Sequence, residues 1–354
     1  MYKLIFPHTP FNPALFCAKV TGMIQDIKPH NFNNQFHRGK RVKPSSVILI
    51  FDGDRVLLQA TASVEIKGAV SKKKSAADSD YPYCLPTASS LSFPKEKVPD
   101  AADPLYLFSL DHTDFFLADK ACAKNLPGTD TAPDTKSAQS TSSDTDGDTP
   151  FIMLPAILLR RQHLLPKHLI FAVLTALHLS RWYTENVYCG TCATKTEHAD
   201  DERALVCPNC GRRIYPKIMP AVIVGITDKN KIVLTKYANR PVTSYALVAG
   251  FNEIGETLEE TVGREVMEEV GLRVKNIRYY KSQPWAIAGD ILTGYFCDVD
   301  GDTAIHIDNV ELKEAAWFKR EDVVLQPDDF SLTNEMMMVF KEGREPAPPQ
   351  EEKR

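Results

Sequence analysis

The sequence predicts an α+β protein: a mostly β N-terminal region, a four-cysteine knuckle pair, and a C-terminal unit in which a strand runs through a glycine loop into a helix. Three observations carry this. Residues 46–60 are two β-rich runs around Asp52-Gly53-Asp54, a strong hairpin signal, and residues 105–110 and 115–117 flank a second turn at Asp111 to Asp114. Cys189, Cys192, Cys207 and Cys210 form two CxxC pairs separated by fourteen residues. Residues 245–249 read as a strand leading into Gly250, beyond which the chain turns helical.

That last helix has its own start and stop. Thr257 stands as N-cap with Glu260 three residues on, and Gly271 supplies a left-handed stop. Within it, Glu265, Glu268 and Glu269 lie at i, i+3 and i+4, so three carboxylates share one face. Such a cluster repels itself, and either solvent or a hard divalent cation relieves the repulsion. Taken alone, the three acids leave both readings open. Leu258, Thr261, Val262, Val266 and Val270 supply apolar or half-apolar positions on other faces, which lets the helix dock while its acidic edge stays open. Gly263 inside the helix costs roughly 0.5 to 1 kcal/mol relative to alanine unless close packing requires it.

Composition bounds the function classes. The chain has 354 residues with 43% hydrophobic content, ample for two or three cores. A formal charge of -4 and a pI near 6.2 argue against a broad basic surface for nonspecific nucleic-acid binding, without excluding recognition of a nucleotide end. No run is apolar for about 18 residues and the first residues lack the pattern of a signal peptide, so a cytoplasmic location without membrane contact is expected. Cys17, Cys84, Cys122 and Cys297 are scattered without a disulfide-like pattern, which agrees.

Residues 1–165 read as an N-terminal scaffold domain with no catalytic constellation. Lys72-Lys73-Lys74 reads as a solvated loop, and His30, His37 and His112 lack metal-ligand spacing. Residues 123–150 are rich in Ser, Thr, Asp, Gly and Pro and are expected to be a mobile insertion. Asp144, Asp146 and Asp148 alternate there without the distal glutamate of a calcium loop. Residues 166–188 form an apolar-periodic linking helix, and residues 189–215 a ribbon whose four thiolates can surround a structural Zn²⁺ with no open ligand position. A redox dithiol would need a CxxC beside a βαβ pattern, which is missing. Beyond the ribbon, residues 216–341 are expected to form the C-terminal domain that holds the acidic helix. Strands are expected at 219–227, 231–237, 274–282, 290–299 and 315–318, a closing helix at 331–340, and a charged tail at 342–354.

Residues 250–272 place Gly250, Glu256, Arg264, Glu265, Glu268, Glu269 and Gly271 at the spacing of the Nudix box, and the chain resembles that hydrolase family. The upstream ribbon, Arg213-Ile214-Tyr215-Pro216, and Ser282-Gln283-Pro284-Trp285 narrow the resemblance to the NADH pyrophosphatase or NAD-capped RNA hydrolase branch, closely over residues 166–341 and only in architecture before that. The resemblance implies a C-terminal α/β/α sandwich with a mixed sheet behind a divergent, Nudix-like N-terminal domain. It implies hydrolysis of the pyrophosphate of NAD(H) to nicotinamide mononucleotide and AMP, removal of NAD caps from RNA, and a homodimer. Glu265, Glu268, Glu269 and Glu311 would hold catalytic Mg²⁺ or Mn²⁺, with Arg264 and Glu256 in the box. Tyr215, Phe251, Gln283 and Trp285 would line the substrate pocket.

The chain departs from the branch after Trp285. Ala286, Ile287, Ala288 and Asp290 stand where the motif has two prolines, a phenylalanine and a serine, which bears on substrate preference and leaves the pyrophosphate chemistry untouched. Two alternatives follow: a broader nucleoside-diphosphate hydrolase acting on ADP-ribose or dinucleoside polyphosphates, and a non-catalytic module that senses NAD or ADP-ribose. The retained box glutamates speak against the second.

Overall fold

The computed structural model describes residues 22–61, 81–91, 103–123, 151–238, 244–307, 310–327 and 330–348. Cys17, Lys72 to Lys74, nearly all of the expected insertion at 123–150 and the end of the tail fall outside these residues.

The N-terminal half contains β1 (Phe32–Asn33), β2 (Val47–Asp52), β3 (Arg55–Ala60), β4 (Tyr83–Cys84), β5 (Leu105–Leu110), β6 (Thr113–Ala118) and β7 (Phe151–Pro155), followed by α1 (Ala156–Arg161) and α2 (Lys167–Glu185). Both expected hairpins form. Gly53 and Asp111 open their two-residue turns at φ of 56° and 53°, the conformation that fits a tight hairpin to twisted strands. Strand β2 is buried on both faces: Leu49 packs towards α2, while Ile48 and Ile50 pack away from it. Between them, α2 buries Ile170, Val173, Leu174 and Leu177 against that sheet.

The ribbon follows as three two-residue strands, β8 (Glu197–His198), β9 (Leu205–Val206) and β10 (Arg213–Ile214), in the order β10-β9-β8. The C-terminal half comprises β11 (Met219–Asp228), β12 (Lys231–Tyr237), β13 (Val248–Phe251), α3 (Leu258–Val270), β14 (Val274–Trp285), β15 (Asp290–Val299), β16 (Leu312–Lys319) and α4 (Leu332–Lys341). Its mixed sheet runs β14-β15-β11-β12-β16, with β13 paired to β11. One face carries Val262, Val266 and Val270 of α3, and the other carries Met336, Met337 and Phe340 of α4. Each fully buried valine contributes about 1.5 to 3 kcal/mol.

The two halves repeat one topology. In the first, β5-β6-β2-β3-β7 follow the order of β14-β15-β11-β12-β16, with β2 parallel to β6 as β11 is to β15 and every other pair in both series antiparallel. The register agrees as well: Asp52 faces Arg55 as Asp228 faces Lys231, and Gln59 faces both Cys84 and Phe151 as Thr235 faces both Ala246 and Ala315. The N-terminal counterpart of the α3 segment has no three-glutamate pattern, and part of it, residues 92–102, lies outside the described residues.

Helix α3 keeps its expected boundaries. Thr257 and Glu260 form a reciprocal capping box, and Gly271 adopts φ 69°. Beyond its chain neighbours and the helix's own backbone, no atom of the described residues lies within 4 Å of a Cβ built on Gly263, so close packing does not require this glycine. Gly263→Ala is therefore expected to stabilise the C-terminal half by about 0.5 to 1 kcal/mol, read as a rise of roughly 1 to 4 °C in its melting temperature. A fall would show that the position serves another need.

Candidate active site

The box assembles around Arg264. Its Nε and Nη2 donate to the Glu256 carboxylate at 2.6 and 2.9 Å, Nη1 donates to Glu265 at 2.7 Å and to Glu268 at 3.0 Å, and Nη2 also donates to the Phe251 carbonyl at 2.9 Å. The fork thus fastens the loop before α3 to the acidic face of α3 and to the end of β13. Arg264 holds the Glu256 carboxyl at about 2, well below the usual range, with a further hydrogen bond from Thr261 Oγ1 at 2.9 Å. Asn252 donates to Thr261 Oγ1 at 2.7 Å and closes the loop.

Gly250 has a steric reason. A Cβ there would stand 1.9 Å from the Glu265 carboxyl carbon, so the missing side chain makes the space the carboxylate occupies. Burial pushes the Glu265 carboxyl up. Arg264 pulls it down, and Glu268 and Glu311 add repulsion that raises it again. Glu311, just before β16, is thereby brought within electrostatic reach of the helix. Glu268 is exposed, whereas Glu269 is only 4% exposed. Among the described residues only the four cysteines bring three or more ligand atoms within 4.8 Å of one another, and the carboxylates stand further apart.

In the ribbon, Cys189 Sγ lies 3.7 Å from Cys210 Sγ, and Cys192 Sγ lies 3.4 Å from Cys207 Sγ. The Thr194 hydroxyl lowers the Cys192 thiol to about 5, and the Thr191 backbone N–H lowers Cys189. Cys210 accepts help from the Arg212 N–H yet is pushed up to about 11 by the neighbouring thiols, Cys207 foremost. Four crowded sulfurs that resist simultaneous ionisation are what a tetrahedral Zn²⁺ resolves, and this is a structural zinc site.

The aromatic candidates divide. Phe251 is 49% and Tyr215 54% exposed, and the Tyr215 hydroxyl donates to Glu202 at 3.0 Å. Trp285 ends β14 beneath the Arg160 guanidinium, which sits 4.5 Å from its ring centroid. Gln283 is fully buried: its Nε2 donates to the Gln25 side chain at 3.1 Å and the Phe330 carbonyl at 2.9 Å, and its Oε1 accepts from Leu332 N at 2.8 Å. That placement makes it a strut between β14, the start of α4 and the N-terminal half, with its amide engaged inside the protein.

Ala286 and Ile287, the first two positions at which the chain departs from the branch motif, are held by α2. Arg181 Nη1 donates to the carbonyls of Ala286 and Ile287 at 3.1 and 2.8 Å while its Nε and Nη2 grip Asp54. Beside this turn, α2 and the ribbon exit enclose a cleft of about 850 Å³ lined by His178, Trp182, Tyr215, Lys217, Met219 and Gly289, among others. Sequence spacing carries no sign of Arg160, Arg181 or Gln25 here, because each meets the site across more than 100 residues of chain.

Residues 217–338 match the NUDIX domain family, and residues 185–215 match the NADH pyrophosphatase zinc ribbon domain. The chain carries a Nudix domain behind an NADH-pyrophosphatase zinc ribbon. The Nudix match thus begins two residues past Tyr215, just ahead of β11. A protein of Enterobacter sp. (strain 638) named NAD-capped RNA hydrolase NudC is 40% identical over 151 residues, which are 43% of this chain and 58% of that protein. A protein of the same name from Escherichia coli O1:K1 / APEC is 38% identical over the same shares. The chain thus spans less than two thirds of the length of these relatives. A crystal structure of a NUDIX hydrolase from Nitrosomonas europaea aligns with 46% of this chain and 94% of its own at a TM-score of 0.40 and 21% identity. No described helix is long and apolar enough to cross a membrane.

Proposed function

We propose that this protein hydrolyses the pyrophosphate bond of NAD(H), giving nicotinamide mononucleotide and AMP, and that it removes NAD caps from RNA 5′ ends. The observation that carries the reading is the coupling of an intact acidic box to the NADH-pyrophosphatase ribbon, with Tyr215 at the ribbon's exit and Phe251 directly after Gly250. The relatives named above point the same way.

The acid set fits a hard divalent cation: Glu265 is raised by burial and by two acidic neighbours, the condition a cation relieves. Mg²⁺ or Mn²⁺ held by Glu265, Glu268, Glu269 and Glu311 would set positive charge against the phosphate oxygens and lower the pKa of a water. Glu269 accepts the proton of the attacking water. Arg264 and Glu256 do not touch substrate; they fix the loop and the helix face. Phe251 and Tyr215 hold an aromatic ring of the dinucleotide, Trp285 flanks it, and Gln283 supports the strand that carries Trp285. Stacking of this kind is worth about 1 to 3 kcal/mol per ring.

A panel of NADH, NAD, ADP-ribose, diadenosine polyphosphates and NAD-capped RNA, with products identified, tests the reading. Nicotinamide mononucleotide and AMP from NADH at the highest kcat/KM support it, and preference for ADP-ribose would favour the broader hydrolase. Mg²⁺ should also raise the melting temperature, because it binds the folded acidic face and not the unfolded chain, and Glu265→Gln should remove most of that rise. No effect of Mg²⁺ on melting would count against the cation site. The protein is further proposed to be a cytoplasmic homodimer, and light scattering on the eluted protein at the mass of one 39.6 kDa chain would refute the dimer.

A further inference from the structure

Ahead of β1, residues 22–27 run between the two halves of the chain. Successive side chains enter different cores: Met23 belongs to the core of Leu332, Met336 and Phe340 beneath α4, whereas Ile24 and Ile27 belong to the core of Ile170 and Val173 on α2. The backbone is bonded both ways as well. Lys167 Nζ of α2 donates to the Gly22 carbonyl at 2.9 Å, and Ile24 N donates to the Phe330 carbonyl at 3.1 Å. These residues form a strap that ties the N-terminal half to β14 and the start of α4.

Within the strap, Gln25 completes a relay of amides. Leu332 N can only donate, so it fixes Gln283 Oε1 towards α4 at 2.8 Å and turns Gln283 Nε2 towards Gln25. Gln25 must then present its Oε1, at 3.1 Å, and its own Nε2 is left for the Ser282 carbonyl at 3.0 Å, which can only accept. The relay therefore runs one way, from a backbone donor on α4 to a backbone acceptor on β14. Turning either amide alone would set donor against donor and acceptor against acceptor. Strand β14 needs such a hold at this point. It is the outer strand of its sheet, and its pairing with β15 is irregular between Tyr279 and Ser282. Trp285 ends the strand three residues beyond Ser282, with the Arg160 guanidinium of α1 over its ring. The N-terminal half thus holds Trp285 twice, at the ring through Arg160 and at the strand through Gln25.

We propose that Gln25 is a positioning residue for the reaction: through Ser282 and Gln283 it holds the Trp285 end of β14 in place, so that the N-terminal half sets the affinity for the dinucleotide without touching it. The inference rests on the dinucleotide reading above, in which Trp285 flanks the bound ring. A fully satisfied polar network stiffens what it joins, and removing one member leaves the others unpaired. Residues 22–27 therefore do more than close a core. They place a binding side chain that lies more than 250 residues further along the chain.

The test uses the full chain with Gln25→Met, which keeps the length of the side chain and loses the relay, and with Gln25→Glu, whose carboxylate accepts from Gln283 but cannot donate to Ser282. Steady-state hydrolysis of NADH should show KM raised about 3- to 10-fold in both, with kcat within about 2-fold of wild type. A protein that is only destabilised behaves otherwise, because its unfolded fraction lowers kcat and leaves KM alone. In a Trp285→Ala protein, Gln25→Met should raise KM by less than about 1.5-fold further, since the side chain it positions is gone. Hydrogen exchange without substrate should show the backbone amides of 282–287 exchanging at least about 3-fold faster in both variants, while those of α3 keep their rates. An unchanged KM in Gln25→Met, a rise that persists in full without Trp285, a wild-type KM in Gln25→Glu, or wild-type exchange at 282–287 each overturns the proposal. The exchange also separates the two readings. Wild-type protein that does not hydrolyse NADH, with faster exchange at 282–287 in Gln25→Met, removes the enzyme and keeps the strap, whereas hydrolysis with KM and exchange unmoved does the reverse.

Discussion

Replacing Glu269 with glutamine is expected to lower turnover of NADH by about two to four orders of magnitude, the range of a lost general base, while leaving the fold intact. The two effects separate because of where the residue lies. Glu269 is 4% exposed on the last turn of α3, between Val266 and Val270, which are both fully buried. Glutamine keeps the shape and removes a charge from a poorly hydrated position, so the folded state should be no less stable. Glu268, by contrast, is exposed and shares Arg264 with Glu265, so Glu268→Gln should cost less. The measurement is steady-state hydrolysis of NADH with saturating Mg²⁺, alongside thermal unfolding of both proteins. Turnover within a few-fold of wild type in a folded Glu269→Gln protein would remove Glu269 from the chemistry.

Much of this site was legible because it is local. The capping box, the αL glycine and the three-glutamate face all lie within residues 257–271, where helix periodicity alone decides which side chains meet. Gly250 could be flagged from spacing, but its reason, the carboxylate of Glu265 in the volume of a missing Cβ, needs β13 packed against α3. The N-terminal half was only partly legible. Its hairpins announced themselves by turn residues, yet the register shared with the second sheet is carried by backbone hydrogen bonds between strands with no common side-chain pattern. Gln283 shows the opposite failure: its place in a motif suggested the pocket, and long-range bonds to Gln25, Phe330 and Leu332 put it inside. Strand β14 also runs to Trp285, past the expected end at 282, because it pairs with β15 as far as Asp290.

The ribbon gives the second large effect. Cys207→Ser is expected to abolish zinc binding, taking the metal content from one per chain to near zero, and to unfold residues 189–215 while the sheet of β11 to β16 remains. A segment of three two-residue strands has almost no core of its own: Cys189, Cys207, Ala199, Ala204 and Leu205 are its buried apolar residues. Metal binding must therefore supply most of its folding free energy, which for four-ligand zinc sites is on the order of 10 kcal/mol. The sheet that follows has separate cores on its two faces and does not depend on the ribbon for either. What the sheet loses is Tyr215. In the folded ribbon, Arg213 pairs with Asp201 and Glu202, and Glu202 accepts from the Tyr215 hydroxyl, so the ring is held from the ribbon side. With that hold gone, kcat/KM for NADH should fall by roughly 5- to 150-fold, the equivalent of one stacked ring, mostly through KM. Metal analysis, limited proteolysis with mapping of the cut sites, and steady-state kinetics read the three consequences separately. A zinc-free variant with uncut 189–215 would show that the ribbon folds without its metal, and an unchanged KM would show that Tyr215 is not part of the pocket.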